Sequence, residues 1–227
     1  MSSLPLIKKI RELYAAGGNI LEFLKNEGGR YNRVEAIMIS YDLQAGSYTA
    51  MADHNREYLD RYTDAIKEAL ADLKNFTTIL EVGVGEATVM NPLMEKLDPN
   101  DEILKYGFDI SWSRTRFAYE NTKKHAHSIN FFTADLFEIP LPDNSIDVVY
   151  TSHSIEPNGG REKDALKELH RVAKKYVVLL EPDYRNASRQ GKKRMLRHGY
   201  VRNLHEHAIE LGFDVLEHRP FEVIENS

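Results

Sequence analysis

The sequence contains no cysteine. Disulfides, thiolate zinc sites, iron–sulfur clusters with the radical chemistry they start, and a cysteine nucleophile are therefore excluded. No apolar run approaches the about 18 residues of a membrane span, and the opening Met1-Ser2-Ser3-Leu4-Pro5 has no apolar signal core. A cytoplasmic protein with no membrane contact is the expectation. Positive charge is not in excess either: 30 Lys and Arg stand against 35 Asp and Glu, a formal net charge of -5. With no global positive field, general nucleic-acid binding is not expected, which still leaves room for a local basic site. Internal repeats and low-complexity tracts are lacking too.

What is present is a chain of 227 residues, 42% hydrophobic and 29% charged, ordinary for a globular protein. That length suits one large domain, or one domain with a helical appendage, and can bury a substantial core.

The most informative stretch is 78–88, TILEVGVGEAT. Ile79, Leu80 and Val82 make a short apolar run that ends at Gly83-Val84-Gly85, which reads as a buried parallel strand turning sharply into a helix. Glycines let backbone approach a ligand where a Cβ would collide, and the following helix offers free N–H groups there. A nucleotide-like ligand is expected at this turn; a tight turn with no ligand is the plain alternative. The dinucleotide fingerprint GxGxxG/A would need Gly or Ala at position 88, and Thr88 stands there.

Strands alternate with helices from here on. Residues 103–108 read as a strand ending at Asp109, Ile110 and Ser111. A carboxylate at Asp109 can accept hydrogen bonds from both hydroxyls of a ribose, or contribute to the cap of the next helix. Strands are also expected at 129–133, 146–151, 176–181, 213–217 and 221–224, with helices at 86–97, 112–124, 160–175 and 200–211. Pro92 suggests that the first of these helices starts a residue or two after Glu86. Ahead of the glycine turn, four helical patterns occupy 4–14, 20–27, 32–41 and 55–73, with the segment YDLQAGSY (41–48) between the last two. The expected division is 1–75 as a helical extension or cover and 76–227 as the ligand-binding domain, with buttressing of the sheet edge as the alternative role for the helices.

Residues 78–88 resemble motif I of the class I S-adenosylmethionine-dependent methyltransferases, an acidic residue followed by GxGxG, with Glu81, Gly83 and Gly85 in register and Ala87 in place of the third glycine. The resemblance extends to about residue 224. It implies a doubly wound, seven-stranded, mostly parallel Rossmann-like sheet and S-adenosylmethionine as cofactor, without a metal. It also implies Asp109 and Ile110 at the ribose, Asp135 and Leu136 at the adenine, Ser152 at the end of the fourth strand, and Tyr41 and Tyr48 over the methionine end. An Asx-turn is the alternative for Asp135, and plain packing for the two tyrosines.

The sulfonium makes the cofactor's methyl a strong electrophile, so the protein mainly aligns a nucleophile with it. If a base is used, His153, Glu156, Asp183, Tyr184 and His198 are the candidates. From 185 to 202 cations accumulate without an acid: Arg185, Arg189, Lys192, Lys193, Arg194, Arg197 and Arg202. Beginning beside the methyl-transfer site, this run suits a small anionic acceptor, with sugar derivatives among them, held by Arg185, Arg189, Arg194 and His198. A solvated loop is the bland alternative, and methylation of a protein or RNA, or cofactor binding without catalysis, are the other functional readings.

Overall fold

The computed structural model describes residues 4–26, 31–52, 54–73 and 75–221. Strand β1 (Thr78–Val82) is buried from Ile79 onward. Successive side chains of a strand point to opposite faces. Ile79 accordingly joins Ile66, Leu70, Met90, Leu93 and Met94 in one apolar cluster, and Leu80 joins Val82, Phe108, Val149 and Leu169 in the other. A strand buried on both sides has to be written as a continuous apolar run, which is why this one stood out in the sequence.

Strands β2 (Leu104–Asp109), β3 (Asn130–Thr133), β4 (Ile146–Ser152) and β5 (Ala173–Leu180) all pair in parallel, in the order β3-β2-β1-β4-β5. The chain winds outward from β1 to β3 and then returns across β1 to place β4. The order reverses between β1 and β4, and a crevice opens outside their carboxyl ends.

The crossover helices are α6 (Met90–Leu97), α7 (Trp112–Thr122) and α8 (Glu162–Val172). Ser111 caps α7, its hydroxyl accepting from Arg114 N–H at 3.1 Å. Helix α6 starts at Met90, later than Pro92 alone suggests, because Gly83, Gly85 and Ala87 all take positive φ (73°, 57° and 55°) and hold the preceding residues in turns. Pro92 then falls in the first helical turn, where no N–H is missed.

Seven strands were expected, and five form among the described residues. Phe213 stacks on His170 with ring centroids 4.6 Å apart. The residues after it do not pair with β5: 213–217 carry no strand, and Leu216 is 71% exposed. Apart from Phe221, the stretch 221–224 lies outside the described residues.

Ahead of β1 lie α1 (Leu4–Ala15), α2 (Ile20–Asn26), α3 (Val34–Leu43), α4 (Ser47–Ala52) and α5 (Arg56–Ala71). Ile10, Ile20, Leu24 and Ala36 form a small core among α1, α2 and α3. Helix α5 instead buries Tyr62, Ile66 and Leu70 in the sheet's own cluster. The basic run folds as α9 (Arg189–His198), begun by Ser188, whose hydroxyl accepts from Gly191 N–H, and closed by Gly199 at φ 69°. Helix α10 (Leu204–Glu210) follows.

Candidate active site

A cavity of about 670 Å³ occupies the crevice at the β1–β4 switch point, roofed by residues of α3, α4 and α5. Its floor is the glycine turn. Val84 N–H donates to Phe108 C=O at 2.8 Å, and Gly85 N–H donates to Asp109 Oδ2 at 3.0 Å, so the ends of β1 and β2 are locked together. The other oxygen of Asp109 accepts from Ser111 N–H at 2.8 Å. Each oxygen keeps a second lone pair for a ligand hydroxyl. A Cβ on Gly83 would stand 2.3 Å from Ser154 Cβ, and one on Gly85 would stand 2.8 Å from Arg114 Nη2. Glycine is therefore required at position 83, whereas at position 85 a Cβ would displace the end of the Arg114 side chain.

The far wall is the loop after β4. Half-buried Glu181, just past the end of β5, accepts from Ser154 N–H (3.0 Å), Ile155 N–H (3.2 Å) and Glu156 N–H (3.1 Å). Glu156 C=O accepts from Val201 N–H at 2.8 Å and Gly199 C=O accepts from Gly159 N–H at 3.1 Å. Asn32 ties the same loop to the end of α9, its Nδ2 donating to Pro157 C=O (2.8 Å) and His198 C=O (2.9 Å). The loop is thus pinned on both sides, with His153 at φ 53°, a conformation that a non-glycine residue keeps only where its surroundings enforce it. His153 Nδ1 lies 3.4 Å from Glu156 Oε2, and that hydrogen bond raises the imidazole pKa above its usual value.

The roof is stitched to the floor. Glu86, buried just beyond the glycine turn, accepts from Gly46 N–H (2.9 Å), Thr49 N–H (2.7 Å) and Thr49 Oγ1 (2.5 Å). Asp42 Oδ1 accepts from Ser111 Oγ at 2.8 Å. The Arg114 guanidinium lies over the rings of Tyr41 (5.1 Å) and Tyr48 (4.6 Å). Tyr62 OH and Ser152 Oγ are 2.7 Å apart, joining α5 to the end of β4.

Of the residues singled out in the sequence, Glu81, Gly83, Gly85, Asp109, Ile110, Asp135, Leu136, Ser152, Tyr41, Tyr48, His153 and Glu156 all line this cavity. Asp135 also makes the Asx-turn, its Oδ1 accepting from Phe137 N–H at 3.0 Å. Tyr184, Arg185, Arg189, Arg194 and His198 do not border it. Arg185 pairs with Glu206 at 2.8 Å, Lys192 lies over the Tyr184 ring at 5.7 Å, and His198 is buried at the end of α9. The basic run therefore supplies no side chain to the cavity wall, contrary to expectation, although the end of α9 packs on the pinned loop through the Gly159–Gly199 hydrogen bond. Glu86, Asp42, Glu181 and Arg114 were missed. The available signal for Arg114 was a cation in the first turn of a helix, where the macrodipole disfavours it.

Burial pushes the Glu81 carboxyl up to about 8, against the hydrogen bond it accepts from Tyr150 OH at 2.7 Å. Burial likewise raises Glu181 to about 7. Both groups hold a proton in the folded chain at pH values where the unfolded carboxyl, near 4.5, has lost it. Folding therefore binds protons between these values, and stability falls as pH rises from about 4.5 to about 8. The ligand-free protein is expected to melt on the order of 5 °C lower at pH 8.5 than at pH 6. Glu81→Gln should flatten part of that decline in thermal melts, and an unchanged slope in the variant would contradict the assignment.

Residues 79–176 match the family described as "Methyltransferase domain". A curated relative, the malonyl-[acyl-carrier protein] O-methyltransferase of Marinomonas sp. (strain MWYL1), is 30% identical over 144 residues, which are 61% of this chain and 48% of that protein. The chain thus spans about half the length of that relative. Among solved structures, a candidate methyltransferase from Bacillus halodurans C-125 superposes with a TM-score of 0.53 at 17% identity, covering 65% of this chain and 67% of its own. A candidate sarcosine dimethylglycine methyltransferase from Galdieria sulphuraria gives 0.52 at 18% identity, covering 67% and 60%. At these identities the two structures show the shared Rossmann-like fold.

Residues 79–176 thus carry a methyltransferase domain, and the glycine turn and the parallel strand order around it agree with the Rossmann-like fold of the class I S-adenosylmethionine-dependent methyltransferases. S-adenosylmethionine is the cofactor of the class, and this cavity fits it: the glycine cradle would be filled by a Cβ, Asp109 presents a carboxylate, and Arg114 Nε is buried without a partner.

Proposed function

We propose that the chain transfers the methyl group of S-adenosylmethionine to an oxygen or nitrogen of a small molecule. The observation that carries the reading is the single cavity wall joining the Gly83–Gly85 cradle to the pinned His153–Glu156 pair. The cofactor, when bound, supplies an electrophilic methyl on a sulfonium. Asp109 would hold the ribose, and Asp135 with the Leu136 N–H the adenine. His153, oriented and made more basic by Glu156, would take the proton of a hydroxyl or ammonium acceptor. A cavity of about 670 Å³ lies within the small-molecule range of about 300–1,000 Å³.

An anionic acceptor is the second reading. The Marinomonas relative is named for methylation of a malonyl group on a carrier protein, and the cations of α9 would meet such an acceptor outside the cavity. The test is transfer of labelled methyl from S-adenosylmethionine to pools of small metabolites, carboxylates, tRNA and protein. Labelled small product is expected, reduced about 10²- to 10⁴-fold in His153→Ala. Label only in protein or tRNA, or none, would refute it.

In the same proposal α3 and α4 act as the cover of the cofactor. Their ties to Glu86, Asp42 and Arg114 all lie on the rim of the cradle. Hydrogen exchange in residues 31–52 is expected to slow when S-adenosylhomocysteine binds; identical exchange with and without it would assign these helices to support of the sheet.

A further inference from the structure

Arg114 sits in conditions that are unfavourable for a cation. It is 8% exposed, and it occupies the first turn of α7, where the helix dipole is positive. Its Nε is buried with no hydrogen-bond partner. Asp109 does not satisfy it by a hydrogen bond: the nearest approach is 4.0 Å, beyond hydrogen-bonding distance. The faces of Tyr41 and Tyr48 lie against the guanidinium. A buried guanidinium with unfilled donors is costly unless an anion completes it.

The cavity shows what kind of anion is needed. Arg114 is the only lysine or arginine among its described lining residues, which also include Glu86, Asp109, Asp135 and Glu156. A carboxylate-bearing ligand entering this wall has one guanidinium to meet, since His153, the other basic lining residue, is paired with Glu156. That cation lies over the glycine cradle, with Nη2 2.8 Å from where a Gly85 Cβ would be, and beneath the two tyrosines that the motif resemblance puts over the methionine end.

We infer that Arg114 holds the carboxylate of the cofactor's methionine moiety, making it a positioning residue that selects the amino-acid-bearing cofactor over its bare nucleoside thioether. The inference rests on the methyltransferase reading. A planar fork can take a carboxylate through two parallel hydrogen bonds, while its π-face stays on Tyr48.

Calorimetry with S-adenosylhomocysteine and with 5′-methylthioadenosine, the same nucleoside thioether without the amino-acid group, separates this role from a structural one. Wild type is expected to prefer S-adenosylhomocysteine, and Arg114→Met to lose roughly tenfold to a hundredfold in affinity for it while binding 5′-methylthioadenosine within about twofold of wild type. Arg114→Lys, which keeps the charge but not the fork, should fall between, and it decides the matter if the Met variant does not fold. Equal loss for both ligands, unchanged affinity for S-adenosylhomocysteine, or a wild type without preference overturns the inference. A wild type that binds neither ligand overturns the methyltransferase reading instead.

Discussion

Gly83→Ala is expected to abolish measurable cofactor binding and to lower the melting temperature by roughly 5–15 °C, the equivalent of about 2–5 kcal/mol. Two costs add. The backbone at Gly83 has φ +73°, a region that costs an L-residue roughly 1–2 kcal/mol. The new methyl would also stand 2.3 Å from Ser154 Cβ, and Ser154 cannot retreat freely because its N–H is held by the Glu181 carboxyl group at 3.0 Å. Relief requires moving either the glycine turn or the loop that carries His153 and Glu156, so the cradle and the proposed base are displaced together. Thermal melts and calorimetry with S-adenosylhomocysteine read the two effects. A variant that melts and binds like wild type would mean that the turn is not built as described.

Asp109→Asn should weaken cofactor binding roughly tenfold to a hundredfold although the side chain keeps its size. The wild-type carboxylate accepts from two N–H groups, Gly85 on one oxygen and Ser111 on the other. An amide has one oxygen, so its NH₂ must face one of these donors and leave a buried N–H unpaired, which costs about 1–3 kcal/mol. The variant also presents one acceptor fewer to the ribose and removes the nearest negative charge from Arg114. Burial already pushes the Asp109 carboxyl above its usual pKa, so its ionised form depends on the charge of Arg114 and these two donors. Unchanged affinity in calorimetry would remove Asp109 from the ribose site.

Which parts could be read in the sequence follows from where each side chain finds its partner. The β1 run and Asp109 at the end of β2 are local patterns, with spacings set by strand geometry, and each lies where it was expected. Glu86 and Arg114 are different. Their partners Gly46, Thr49, Tyr41 and Tyr48 are remote in the chain and come together only through the packing of α3 and α4 on the sheet. The expected strand at 213–217 failed for a related reason, because a strand needs a neighbour to bury against and Val215 and Leu216 remain exposed. The basic run was read for its charge alone, although Ser188 and Gly199 already marked the two ends of α9. That its side chains do not line the cavity was not visible, since the rule that ligands gather at strand ends says nothing about which face of the following helix meets the ligand.

The account rests on the cavity at the β1–β4 switch point being an S-adenosylmethionine site, and calorimetric titration of the purified chain with S-adenosylmethionine and, separately, with NAD tests that most directly. One molecule of S-adenosylmethionine is expected to bind per chain with a Kd on the order of 1–100 µM, corresponding to about -8 to -5.5 kcal/mol, with no heat from NAD. Binding of NAD in preference, or no heat from S-adenosylmethionine at millimolar concentration, would contradict it.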